Sequence, residues 1–470
     1  MVFNLQVKGV KKNNLYKLFY HTEWTKESYK FSLVGMHTLI IRKSNIQILL
    51  MLVLLSFVAG CSSSGPSTLN LMPAPSIYNP EIEEALNITK GALVPPTEIF
   101  YATNRAPADS NSTQYSGERG GVLRFGGARV MMGKGGYTFE EVREISLLKN
   151  RSEEYPLSVT DVREYGLFSK SLNSFYAEEV LKSGRTAQDD QFAKRINETL
   201  ASSSRKDVYI YVHGYKVDFD NPILVASELW HFLGYQGAFV AFSWPSTPRT
   251  MAYLADLETS EISSYQLRRL ISFLSENTDA ERIHILGYSV GARIVVKSLA
   301  QLSLTRRFGG EKLRIGHVML LGGDLDADMF GANISEGLLD IVDDITVYIS
   351  DNDQALAFSG WVFNRSRLGQ LGSEISLTAK RFLEANPKLS VVDVTNDSDA
   401  SSGIGHAYFR KSPRVSSDIL MTLKYNLKPG ERGLKREDYG SVWTFPENYM
   451  DKLHERIMLH IRQHHKNLPE

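Results

Sequence analysis

The chain has 470 residues, with 53 Lys plus Arg balanced by 53 Asp plus Glu, and one cysteine. That length allows several domains at ~100–200 residues each, while 43% hydrophobic and 23% charged residues exclude wholesale disorder. Balanced charge gives no electrostatic footprint for nucleic acid, and a lone cysteine excludes an intrachain disulfide or a thiolate metal cluster.

From Ile46 to Ala59 the sequence is almost wholly apolar, with Arg42 and Lys43 before it and Gly60-Cys61 after it. A spanning helix needs ~20 apolar residues, so this run suits the apolar core of a secretory signal better than a permanent anchor. Val58-Ala59-Gly60-Cys61 resembles the lipobox of bacterial lipoproteins, which implies a lipidated Cys61 as mature N-terminus. Ser62, rather than an acidic residue, follows it; in such lipoproteins that implies the outer membrane of a Gram-negative envelope. The competing structural reading is a short buried helix with Cys61 as a small core residue. Met1 to Gly35 is polar, with Lys8, Lys11, Lys12 and Lys17, so translation is expected to begin at Met36 and residues 1–60 to be leader. Residues 61–96, rich in Ser, Pro, Asn and Gly, read as a flexible tether.

Residues 97–205 read as a small β-rich extension. Its candidate strands are Glu98 to Ala102, Leu123 to Met132, and a third at Glu144 to Leu148. Gly133-Lys134-Gly135-Gly136 looks briefly like a phosphate loop. Ala128 stands where its first glycine belongs and Gly135 where Ser or Thr must be, so it is a turn. A predominantly polar stretch, Ser183 to Lys206, leads into residues 206–470. There six short apolar runs follow: Val208 to Val212, Ala238 to Phe242, Ile283 to Leu286, His317 to Leu321, Ile345 to Ile349 and Leu389 to Val394. Helical patterns separate them, such as Leu267, Leu270, Ile271 and Leu274. Strands apolar throughout, alternating with helices, predict an α/β fold: a mostly parallel sheet covered on both faces. Ligands then bind beyond the strands' carboxyl ends.

After the third run comes Gly287-Tyr288-Ser289-Val290-Gly291, then a helical pattern. A G-x-S-x-G between strand and helix is the context of a nucleophile elbow, where Ser289 needs small residues two positions either side. The bland alternative is a glycine-bearing turn with an idle serine. His213-Gly214-Tyr215 follows the first run, and two backbone N–H groups, from Val290 and Tyr215, are the expected oxyanion donors. His213 precedes the serine and is expected to be structural. His317 opens a strand and should be packed; His454, His460, His464 and His465 belong to a closing helix with Met450, Leu453, Ile457 and Ile461. That leaves His406, in a loop beyond the sixth run, as general base, in the order Ser…Asp…His. Two acids compete to orient it: Asp353, after the fifth run, and Asp324, after the fourth, with Asp351 a minor rival; topology admits either, and the resemblance given below, through its Ser350-x-x-Asp353 pattern, implies Asp353. Asp324, Asp326 and Asp328 could equally cap a helix.

From about Thr97 to Arg414 the chain resembles a bacterial family of α/β-hydrolases of mostly undefined function. The resemblance rests on Tyr101-Ala102-Thr103-Asn104-Arg105, Val212-His213-Gly214-Tyr215, Phe242-Ser243-Trp244-Pro245-Ser246, Tyr253 with Asp256, the serine elbow, Ser350 with Asp353, and Gly405-His406 with Tyr408. Phe-x-Trp-Pro-Ser is the most specific block. The family usually carries His-Ser-Met-Gly at the elbow, whereas Tyr288 and Val290 flank Ser289 here, and Gly323 stands where proline is usual. The leading expectation is a lipid-anchored envelope serine hydrolase acting on a small-molecule or lipid ester or thioester through an acyl-enzyme, with no metal or organic cofactor implied. The alternatives are a non-catalytic scaffold or binding lipoprotein with a retained fold, and an envelope acyltransferase. Protein partners are not legible.

Overall fold

Runs that are apolar at every position need cover on both faces, and in the computed structural model the six runs form the centre of one twelve-stranded sheet. The structure describes residues 69–78, 98–109, 115–148, 151–178, 189–307, 309, 313–370, 376–437 and 441–465. The leader and, of the tether, residues 61–68 and 79–96 lie outside the described residues. In chain order the strands are β1 (Leu69–Asn70), β2 (Ile99–Pro107), β3 (Tyr115–Met132), β4 (Pro156–Phe168), β5 (Asp207–Val212), β6 (Ala238–Ser243), β7 (Arg282–Tyr288), β8 (Ile315–Leu321), β9 (Val342–Ile349), β10 (Leu389–Asp393), β11 (Lys435–Arg436) and β12 (Val442–Thr444). The helices are α1 (Phe139–Leu147), α2 (Asp189–Ser202), α3 (Asp220–Phe232), α4 (Tyr253–Asn277), α5 (Val290–Arg307), α6 (Ala327–Ser335), α7 (Gln354–Phe363), α8 (Leu377–Ala385), α9 (Tyr408–Lys411), α10 (Pro413–Tyr425) and α11 (Tyr449–His465).

The sheet order is β1-β4-β3-β2-β6-β5-β7-β8-β9-β10-β12-β11. From β2 through β12 neighbours in this order are parallel, while β1, β4, β3 and the terminal β11 pair antiparallel. The β-rich extension is therefore continuous with the central sheet, because β2 pairs with β6 at Phe100 to Thr103. Side chains alternate between two cores. Val208, Ile210 and Val212 of β5 face the layer of α2, α4 and α5, and Tyr209 and Tyr211 face that of α3 and α10.

Local rules change four expectations. Glu144 to Leu148 is not a strand; most of it lies in α1, whose capping box joins the Thr138 hydroxyl to the Glu141 amide and the Glu141 carboxylate to the Thr138 amide, at 3.2 and 2.7 Å. The polar stretch before β5 contains α2, which buries Phe192, Ala193, Ile196 and Leu200 along one stripe. Part of the expected tether is packed: Leu71, Met72, Ile77 and Tyr78 are buried, and the Ile77 amide donates to the Ser417 hydroxyl at 2.9 Å. Leu389–Asp393 is not the last parallel strand, since β12 pairs beyond it. Among the described residues no helix is long and apolar enough to cross a membrane.

His231 on α3 fastens α1 to this layer, its Nε2 lying 2.7 Å from the Ser146 hydroxyl and its Nδ1 2.6 Å from that of Tyr235. Burial, reinforced by nearby Arg143 and Arg151, holds its imidazole down to about 3. The folded state keeps this ring neutral while the unfolded chain protonates it near 6.5, so its contribution is lost as pH falls below that value. Stability should decline by up to ~1.4 kcal/mol per pH unit from this ring between pH 6 and 4. Urea melts of His231→Gln against the wild type over that range read the difference; parallel pH dependences would refute it.

Candidate active site

β7 delivers its last residue, Tyr288, and α5 begins at Val290, so Ser289 must reverse the chain in one step. It does so at φ 54°, a left-handed conformation costing a non-glycine residue ~1–3 kcal/mol. Its amide donates to the Leu321 carbonyl at 2.9 Å, and its own carbonyl accepts from the Asp324 amide at 3.1 Å. Both clamps come from the end of β8. The flanking glycines let the helix descend onto the sheet. A Cβ at Gly291 would sit 2.2 Å from the Val212 carbonyl oxygen, and one at Gly287 2.9 Å from the Ala292 Cα. Ser289 is thereby held at the amino end of α5, whose first amides have no partner inside the helix.

The His213-Gly214-Tyr215 turn lies directly against the serine, since a Cβ on Gly214 would come within 2.9 Å of Ser289 Cβ. The His213 ring is buried, stacked on Trp244 with centroids 5.1 Å apart. Its two nitrogens lie 2.6 Å from the Gly214 carbonyl and 3.1 Å from that of Trp244. Neither is left for Ser289, and burial drives the ring well below the ordinary histidine range. His213 is a wedge under the turn. Val290 is fully buried at the start of α5, and Tyr215 packs edge-on against Tyr253 at 5.1 Å.

His406 and Asp353 meet at the same edge. His406 Nδ1 donates to Asp353 Oδ2 at 2.6 Å, which fixes the tautomer with an open lone pair on Nε2. That Nε2 is buried without a hydrogen-bond partner. Gly322, next to the Leu321 carbonyl that clamps Ser289, lies beneath the pair: a Cβ there would be 3.3 Å from His406 Cε1 and 3.4 Å from Asp353 Oδ2. The Tyr288 ring backs the imidazole at 4.9 Å and Phe409 backs Tyr288 in turn. Tyr408 holds this arrangement, its hydroxyl accepting from the Gly322 amide at 2.6 Å and donating to the Tyr348 carbonyl at 2.9 Å.

Asp324 is otherwise engaged. Its carboxylate accepts from the hydroxyls of Tyr253 and Ser359, with Arg367 Nε 3.5 Å away. Asp326 caps α6 through the Met329 amide. His317 is packed, with its Nδ1 2.8 Å from Asp344. His454 lies on α11, while His460, His464 and His465 fall outside the described side chains. A separate groove of about 420 Å³, lined by Ile99, Met131, Tyr137, Phe139 and Trp230 among others, shares no residue with the Ser289–His406 region.

One contributor has no role legible in sequence. Arg105 is buried at the end of β2, beside the Trp244-Pro245-Ser246 segment. Its Nε donates to the Ser243 hydroxyl and its Nη1 to the carbonyls of Ser116 and Ser246, all at 3.1 Å. Its Nη2 donates to the carbonyls of Val217 at 3.1 Å and Asp218 at 3.3 Å. Burial pulls its guanidinium down to about 10, still protonated at neutral pH. The Ser246 hydroxyl donates to the Val217 carbonyl at 2.9 Å, and the Asp256 carboxylate accepts from the Thr247 amide. Together they fix the loop after Tyr215. Replacing Arg105 with Ala should destabilise the fold by about 3 kcal/mol, because each orphaned buried acceptor costs ~1–3 kcal/mol. Arg105→Lys should recover only part, lacking the fork. Urea denaturation of both variants reads this ranking; an Ala variant as stable as wild type would discard the role.

Residues 188–423 match the profile of a family described as α/β-hydrolase of unknown function, DUF900. A lipase-esterase related protein from Clostridium acetobutylicum ATCC 824, of solved structure, is 12% identical over 56% of this chain and 96% of its own, with a TM-score of 0.21. No curated protein matches the chain.

Proposed function

The chain belongs to that α/β-hydrolase family of unknown function, and on this premise we propose that it is a serine hydrolase of ester-type substrates, anchored in the cell envelope by a lipid on Cys61. The observation that carries the reading is the paired His406 and Asp353, with a buried, unpartnered Nε2, at the edge where the strained Ser289 stands.

In this reading His406 Nε2 takes the Ser289 hydroxyl proton as Oγ attacks the carbonyl carbon. The Asp353 carboxylate stabilises the imidazolium that forms. The backbone N–H groups of Val290 and Tyr215 receive the developing oxyanion. His406 then protonates the departing alkoxide or thiolate, leaving an acyl group on Ser289. A water molecule, deprotonated by the same ring, attacks the acyl-enzyme and returns Ser289 with its proton. Tyr288 supports the base by packing, so its replacement of the family's usual residue changes the lining and leaves the proton route unaltered. The lipobox, the apolar run before it and the serines after it support outer-membrane anchoring.

A fluorophosphonate probe should label Ser289, located by mass spectrometry, and Ser289→Ala should abolish labelling without unfolding. A folded wild type that takes no label would favour the scaffold reading. With an activated ester, His406→Ala and Asp353→Asn should each lower turnover by ~10⁴, the scale of a lost triad tautomer. Asp324→Asn should act chiefly on thermal stability; a reversed ranking of the two acids would move the role to Asp324. In cells, Cys61→Ser should end incorporation of labelled palmitate and leave the precursor uncleaved. Equal labelling of mutant and wild type would remove the lipid anchor from the reading.

A further inference from the structure

Resting on the proposed serine-hydrolase reading, we infer that Tyr253 is a positioning residue for the oxyanion site, holding the Tyr215 backbone N–H in register with that of Val290. The two donors leave different strands, Tyr215 after β5 and Val290 after β7. Each adjoins a left-handed residue other than glycine: Ser289, at φ 54°, precedes Val290, and Lys216, at φ 66°, follows Tyr215. Such residues persist only where their surroundings over-determine them. An oxyanion is held well only when each donor lies ~2.7–3.1 Å from it. Two strained turns must therefore be registered against each other to within a few tenths of an ångström.

Tyr253 touches both turns. Its ring packs edge-on against Tyr215, with centroids 5.1 Å apart. Its hydroxyl donates to the Asp324 carboxylate, and the Asp324 amide donates to the Ser289 carbonyl at 3.1 Å. The Ser359 hydroxyl, 2.8 Å from that of Tyr253, donates to the other Asp324 oxygen at 2.7 Å. Burial, and after it the charge of Asp324, pushes the Tyr253 phenol well above the ordinary tyrosine range, so it stays a donor at any assay pH. Asp256 stands one turn further along α4, a spacing that puts it on the same side as Tyr253. It is buried and accepts from the Thr247 amide at 3.0 Å, and the Lys216 backbone bonds the same carboxylate. The first turn of α4 thus meets the oxyanion loop at two successive residues, Tyr215 through a ring and Lys216 through a carboxylate. Neither the ring contact with Tyr215 nor the bond to Asp324 involves His406. Loss of Tyr253 should therefore weaken oxyanion binding and leave the base as it was.

The test assays the full chain with p-nitrophenyl butyrate across pH, with thermal melts to show that each variant is folded. Tyr253→Phe keeps the ring and cuts the bond to Asp324. It should lower kcat about tenfold, since losing an oxyanion donor outright costs ~10²–10³ and this one is only loosened. KM should stay within twofold, because the oxyanion is bound only in the transition state. Tyr253→Leu, which removes the ring contact as well, should lower kcat about a hundredfold. A trifluoromethyl ketone, to which the Ser289 hydroxyl adds as a hemiketal with its oxygen in the same place, should lose affinity by the factor that kcat loses. The midpoint of the pH profile should stay at its wild-type value. Ser359→Ala removes a bond to the same carboxylate without touching Tyr215, and should keep kcat within twofold. An unchanged kcat in both Tyr253 variants, a loss confined to KM, undiminished ketone affinity, a displaced pH midpoint, or an equal loss in Ser359→Ala would each overturn the inference. A wild type that takes no fluorophosphonate label and cleaves no ester removes the hydrolase reading itself, and this role with it.

Discussion

The carboxylate of Asp353 serves two masters, and the geometry of the whole edge follows from that sharing. Oδ2 accepts from His406 at 2.6 Å, and Oδ1 accepts from the Leu356 amide at 3.0 Å, capping α7. The group is fully buried, and a buried carboxylate is tolerated only where its oxygens are hydrogen-bonded. Satisfying both oxygens therefore requires the imidazole and the helix start to be in place together. The chain between them is tied by backbone: Asp353 closes a turn on Ser350, and Gln354 donates to Ile404. The ends of β9 and β10 thus behave as one rigid corner.

The serine corner is held by different forces and meets this one through β8. A left-handed Ser289 persists only where its surroundings over-determine it, and its amide and carbonyl are both claimed by the segment Leu321 to Asp324. That segment includes Gly322, which lies under the His406–Asp353 pair and is fixed by Tyr408. One short stretch after β8 therefore registers Ser289 against His406. Arg105 does the corresponding task on the opposite side, where β2 and β6 run parallel and their ends grip the loop after Tyr215.

What could be read from sequence follows from the range of each signal. The six central strands were legible because burial on both faces leaves every position apolar, and the elbow because its steric demand falls within five residues. His406 was singled out by elimination and chain order, and the structure adds its pairing with Asp353. The choice of Asp353 over Asp324 rested on the Ser350-x-x-Asp353 resemblance alone, because both acids end adjacent parallel strands at one edge. Only side-chain partners separate them, and Tyr253, Ser359 and Arg367 take up Asp324. Arg105 was visible as part of a motif but not as a clamp, since its contacts reach Val217 and Ser246, far along the chain. Val442–Thr444 spans too few residues to show a period, and Glu144 to Leu148 read as strand because the controlling signal, Thr138 with Glu141, lies upstream of its apolar run.

The same architecture separates what must be fixed from what can vary. Ser289 is set by backbone bonds to the segment after β8 and Asp353 by its turn on Ser350, His406 is held by the Asp353 carboxylate, and the His213 wedge sets the turn that would receive the oxyanion in the proposed reaction. α7 is fixed at its first turn by Asp353, but its body buries only two side chains. Its outer residues can therefore change without disturbing the His406–Asp353 bond. If Ser289, His406 and Asp353 act as proposed, Tyr288 is tied to the ring it packs on, whereas the α7 surface is not. A change at Tyr288 would therefore be felt at His406, and a change at the exposed positions of α7 would not.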